Sequence, residues 1–257
     1  MDTKDLHFIF PSISTSDPPL YSFKHPYPQC FSLPFDVIKY MIKNCKSAKV
    51  WKKLIMTCKH FYSKNPVFPV KHLHVYPDSK CEADEEKFNS SKFIPKFWVY
   101  DSFNYHASNF SNSKLEIPKI FKFDLRSLIM FDQNLTFNDY QKLTSSGSLK
   151  SIILYFCKIQ NSDGTIVTVD KLLENLKHLE EFKFIDFNPL MFQSDTVKKM
   201  VQHLNGFKNN NKTLRIEISF YEPISDAYKV VIQNVMNKIK KNPFLKVPKI
   251  EFVNIGF

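Results

Sequence analysis

A chain of 257 residues with 43% apolar content can bury a sizeable core, as one large domain or two small ones. Its longest unbroken apolar runs, such as Ile152 to Cys157, fall far short of the roughly 18 residues a membrane-spanning helix needs. The net charge of +11 raises nucleic acid as a partner, but 34 of the 36 basic residues are lysines scattered through every segment, a texture more typical of a solvated surface than of Arg-based base reading.

The first ten residues interleave Asp2, Lys4, Asp5 and His7 with apolar positions, unlike a secretory signal, so the expected location is the cytosol or nucleus. Five widely spaced cysteines, Cys30, Cys45, Cys58, Cys81 and Cys157, form no CxxC pair and read as reduced thiols. No metal or cofactor is expected. His72 and His74 would share one face of a strand, but no third ligand is obvious beside them.

Residues 1–29 carry Pro11, Pro18, Pro19, Pro26 and Pro28, which resist both helix and sheet and predict an extended leader. Residues 30–66 change to a helical texture. Pro34 suits a first turn and Asp36 the positive end of the helix dipole, and Val37, Ile38, Met41, Ile42 and Cys45 fall on one face. A second helix is expected after Ser47, with Val50, Leu54, Cys58 and Phe61 in one stripe until Pro66 stops it. Helices this short must bury such faces on each other or on a partner.

Residues 67–257 alternate between strand and helix. Val70, Leu73 and Val75 set an apolar spacing that Ile94, Phe97 and Val99 repeat, and the acidic stretch between them, with Asp78, Glu82, Asp84, Glu85 and Glu86, predicts a loop. Pro118, Phe121 and Phe123 make a weaker copy. The clearest copies lie within 118–257: Leu125, Leu128 and Met130; Leu149, Ile152 and Leu154; Leu179, Phe182 and Phe184; Thr213, Ile216 and Ile218; Val247, Ile250 and Phe252, in steps of 24, 30, 34 and 34 residues. Helices of about three turns are expected after Thr168, Ser194 and Ser225. A strand, a helix and a strand at this spacing imply parallel pairing, hence an α/β fold.

The segment FSLPFDVIKYMIKN with LIMTCKHFYSKNP resembles an F-box, matching at Leu33, Pro34, Asp36, Val37, Ile38, Cys58, Lys59 and Phe61; CKSAKVWKK replaces the usual leucine-rich middle. The resemblance implies a helical module that docks on the Skp adaptor subunit of a cullin ubiquitin ligase through Leu33, Pro34, Val37, Ile38, Met41, Ile42, Leu54, Cys58 and Phe61. LKSIILYFCKI looks like a leucine-rich repeat, with Leu149, Ile152, Leu154, Cys157 and Ile159 at its fixed positions, and LRSLIMFDQNL is a second match with Gln133 in place of the cysteine. That resemblance implies an irregular strand-helix solenoid with parallel strands and an interior, structural Cys157; Phe187 and the 34-residue steps depart from the regular repeat.

Together these imply a protein-interaction adaptor that brings a protein substrate to the ligase by raising its effective concentration there. The alternatives are a repeat scaffold without ligase docking and, on charge alone, a nucleic-acid binder. An enzyme is not expected: glycines 147, 164, 206 and 256 are too far apart for a phosphate-cradling loop or a nucleophile elbow, and HExxH is missing.

Overall fold

The computed structural model describes residues 33–77, 80–89, 96–106, 120–185, 215–220 and 249–254, with isolated positions near 191–199 and 229–237. The chain separates into two compact units, Met1–Pro66 and Val67–Phe257. The expected leader, residues 1–29, lies outside the described residues, as do the segment around Ile94 and most of the helices expected after Ser194 and Ser225.

Among the described residues the first unit holds three helices, α1 Phe35–Asn44, α2 Ala48–Thr57 and α3 Lys59–Lys64. Pro34 stands just ahead of α1 rather than inside it, and its carbonyl accepts from the backbone N–H groups of Val37 and Ile38 at 3.0 and 3.2 Å. One continuous second helix is not formed. Cys58 takes an extended conformation, φ −153° and ψ 120°, and splits the expected stripe into α2 and α3. Its backbone N–H still closes α2 on the Leu54 carbonyl at 3.0 Å, while its sulfur accepts from the His60 N–H at 3.3 Å and opens α3. A thiol can thus cap where Ser or Asp would be usual. Trp51 and Phe61 meet edge to face, 6.3 Å apart, and both are buried.

The second unit is mixed α/β, built on a ten-stranded open sheet in the order β12-β11-β10-β8-β6-β4-β1-β2-β3, with β5 also on β4. The strands are β1 Val67–Val75, β2 Lys80–Ala83, β3 Glu86–Asn89, β4 Lys96–His106, β5 Ile120–Phe123, β6 Ser127–Phe131, β8 Ser151–Tyr155, β10 Glu181–Ile185, β11 Arg215–Phe220 and β12 Lys249–Asn254. A second, two-stranded sheet pairs β7 Asn134–Thr136 with β9 Lys158–Gln160. Among the described residues every strand pairing from β1 through β12 is parallel except those of the β2–β3 hairpin.

That hairpin occupies the acidic stretch expected to be a loop. Asp84 and Glu85 form its turn with φ of 48° and 75°, a mirror-image turn that matches strand twist. The Asp84 carboxylate accepts the backbone N–H groups of Lys71 and His72, both at 2.8 Å, where the β1–β4 register slips. Charge at exposed positions did not prevent pairing, because Cys81 turns inward and is buried.

Register makes the core. Leu73, Phe103, Leu128, Ile152, Phe182 and Ile216 align across six neighbouring strands and all lie fully buried. A one-residue slip in any strand would turn its members of this row to the other face. Beyond β6 and β8 the chain turns alike: Asp132 and Phe156 adopt φ of 50° and 54°, and their N–H groups reach the carbonyls of Tyr155 and Ile185 on the next strand at 2.8 and 3.0 Å. Gln133 and Cys157 then point inward. The Gln133 amide donates to the Phe131 and Asp132 carbonyls, each at 2.9 Å, and the Cys157 thiol donates toward the Tyr155 carbonyl at 3.3 Å. Cys157 is 3% exposed, and burial pushes its thiol up to about 12.

Two helices are described in full between these strands, α4 Phe137–Thr144 and α5 Val169–Leu173. For α4, Thr136 caps the Asp139 N–H at 3.1 Å and donates its hydroxyl to the Asp139 carboxylate at 2.7 Å. Helix α5 is one turn rather than three; Leu176 and Leu179 lie past its end and are buried all the same.

Candidate interaction surfaces

The docking face expected on the helical unit divides when it is folded. Leu33 and Val37 are 45% and 41% exposed, and Pro34 is exposed with them. Met41, Ile42 and Leu54 are half-buried. Ile38, Cys58 and Phe61 are buried within the chain and present nothing to a partner. The reason is geometric: residues three and four apart share a helix face, so the stripe that closes the interior is centred on Ile38, with Val37 turned to its margin. The exposed surface also includes Val50, which was expected in the buried stripe of the second helix but lies at its margin, and Phe35, Tyr40 and Met56, which helical periodicity on the apolar stripe did not pick out. The Lys64 ammonium lies 6.0 Å from the Phe35 ring.

On the sheet unit, the face opposite the core row carries three aligned rows. The first runs His72, Ser102, Ser127, Ser151, Glu181 and Arg215; the second His74, Asn104, Ile129, Ile153, Lys183 and Glu217; the third His106, Phe131, Tyr155, Ile185 and Ser219. From β1 to β8 these side chains are half-buried, whereas Ile185, Glu217 and Ser219 are buried. A parallel sheet is ordinarily covered on both faces, whereas from β1 to β8 this face is only half-buried.

The third row is an aromatic ladder. Tyr76 stacks on His106 at 5.6 Å, His106 on Phe131 at 4.4 Å, and Phe131 on Tyr155 at 4.4 Å, with planes within 14° throughout. The rings cover one another's faces and turn their edges outward. Burial, and then the neighbouring His74, hold the His106 imidazole below its usual range. His72 and His74 do share this face, but their Nδ1 atoms lie 2.7 Å from the Ser102 hydroxyl and 3.2 Å from the Asn104 amide. Among the described residues no group of three His, Cys, Asp or Glu is placed to hold a metal ion, and no helix is long and apolar enough to cross a membrane.

The ladder was missed in the sequence, although a signal was there: Phe131 and Tyr155 each follow the last apolar position of a repeated strand. At the far end, where this face is buried, Glu217 accepts from both Lys183 at 2.5 Å and Arg215 at 3.1 Å, and the Lys183 pair fixes β10 to β11. No protein-family model, curated protein or solved structure matches the chain.

Proposed function

We propose that the chain is a non-enzymatic adaptor whose F-box-like helical unit docks on the Skp subunit of a cullin ubiquitin ligase. Its sheet unit, an irregular solenoid of the leucine-rich-repeat kind, holds a protein substrate on the half-open face. The observation that carries this reading is the pairing of two unlike surfaces on two compact units: exposed Leu33, Pro34 and Val37 on one, and the ladder Tyr76, His106, Phe131 and Tyr155 on the other. Parallel strands in chain order and the repeated turn at Asp132 and Phe156 support the solenoid. Co-purification with a Skp subunit tests it; a folded sample that forms no complex at micromolar concentration refutes the ligase role.

A second reading is a repeat scaffold that has no ligase docking. Burial of Ile38, Cys58 and Phe61 favours it, because three of the nine expected docking residues are spent on the chain's own interior. The two readings separate on point variants. Partners lost with Phe131→Ala and Tyr155→Ala but kept with Val37→Asp support the scaffold; a Skp complex lost with Val37→Asp supports the adaptor.

A further inference from the structure

We propose that the helical unit docks onto an acidic polypeptide surface that also offers apolar pockets. This rests on reading that unit as a docking element, and it names the chemistry of what it docks to. Between Leu33 and Pro66 there are eight lysines against the single carboxylate of Asp36, a surplus of seven out of the chain's net +11. The positive charge that looks dispersed along the sequence is therefore concentrated in 34 of its 257 residues.

The placement of these lysines works against the helices that carry them. Lys49 sits in the first turn of α2, where the dipole disfavours a cation and no acidic residue offsets it. Lys39 and Lys43 on α1, and Lys49 and Lys53 on α2, are like charges four residues apart, which destabilises a helix. All four are exposed, and none takes part in an ion pair among the described residues. An acidic partner removes both penalties at once.

Apolar side chains stand among these cations. Phe35 and Tyr40 flank Lys39 and are 60% and 68% exposed; Val50 and Met56 flank Lys53 and are 50% and 52% exposed. Aromatic residues and methionine are the anchors typical of protein interfaces, with charge at the rim to steer the encounter. A helix lying in a membrane separates its lysines from its apolar residues onto opposite faces, whereas here they alternate over one exposed face of α2. A nucleic-acid groove would favour arginine and planar stacking, and this surface has no arginine and two aliphatic anchors.

The test measures binding of the full chain to a synthetic acidic peptide alternating glutamate with leucine and phenylalanine. Single-stranded oligothymidylate and phosphatidylserine vesicles serve as rival probes, and a purified Skp subunit forms a separate arm. Peptide affinity is expected to fall about tenfold between low and moderate salt as exposed charges are screened. It should fall by a similar factor in the Lys49→Glu, Lys53→Glu double variant, whose unfolding midpoint stays level or rises. If that variant does not fold, Lys49→Gln with Lys53→Gln removes the charge while keeping the size. No peptide binding at low salt, binding indifferent to both double variants, or tighter capture of the oligonucleotide or the vesicles overturns the proposal. Peptide bound through these lysines without any Skp complex refutes the ligase reading and leaves the docking chemistry standing. Skp bound equally well by the lysine variants does the reverse.

Discussion

Replacing Val37 and replacing its neighbour Ile38 should have opposite effects. Ile38 is 4% exposed, so Ile38→Ala removes a buried branched side chain and leaves a cavity, at a cost of about 2–4 kcal/mol. Three helices of ten, ten and six residues form a small core, and a loss of that size takes most of the stability such a unit can have. Val37 is 41% exposed and lies in the first turn of α1. Val37→Asp places a carboxylate at the positive end of the helix, which offsets the lost apolar contact, so stability should stay within about 0.5 kcal/mol of the parent. Docking should nevertheless be lost, because the carboxylate would be buried unpaired at the interface. The chain has two tryptophans, Trp51 in the helical unit and Trp98 in the sheet unit. Fluorotryptophan labelling therefore gives one resonance for each unit in a urea titration. Val37→Asp shifting the Trp51 midpoint as far as Ile38→Ala does would refute the reasoning, since Val37 would then belong to the core and leave no docking margin.

Glu85→Gly should stabilise the sheet unit by about 1 kcal/mol by relieving a side chain held at φ 75°, read as a higher urea midpoint. Asp84→Ala should destabilise it by about 1–3 kcal/mol, because two backbone N–H groups lose their acceptor. His106 has a lowered pKa in the folded chain, so on acidification the unfolded chain takes up the proton first. Its contribution is therefore present above about pH 6.5 and is lost as pH falls through the depressed value; His106→Phe, which keeps the stack, should flatten the stability profile there. Cys157 shows the opposite sign, with its proton held up to about 12 while the unfolded thiol releases its own near 9. Stability should decline with rising pH across that window, and Cys157→Ala should make the decline shallower.

The parallel strands were legible because one spacing of apolar residues recurs, and the register turns that spacing into the row from Leu73 to Ile216. Other features depend on contacts that the spacing does not encode. The break between α2 and α3 falls inside an unbroken apolar stripe, and only the backbone of Cys58 reveals it. The β2–β3 hairpin was hidden by its charges, since the Asp84 carboxylate is used as a backbone acceptor rather than left in water. Helix α4 is marked in the sequence by Thr136 and Asp139, three residues apart, and not by a long apolar stripe, because it spans only eight residues. Of the docking residues, composition could identify an apolar helix but not which side faces in. That choice follows from where Trp51 and Phe61 meet. The aromatic ladder needed alignment of β4, β6 and β8, which no single strand carries.

The order of the strands also sets how the sheet unit answers to a mechanical load. From β1 through β4, β6, β8, β10 and β11 to β12, neighbours in the sheet follow one another along the chain. Tension applied at Leu73 and Ile250, which stand in one register row, therefore runs across the strands, along the hydrogen bonds, and does not slide one strand past the next. Bonds loaded in that direction open one after another, so the unit yields as a zipper does, at low force. Each strand that leaves releases the slack stored in its connection, while the strands still paired keep their register.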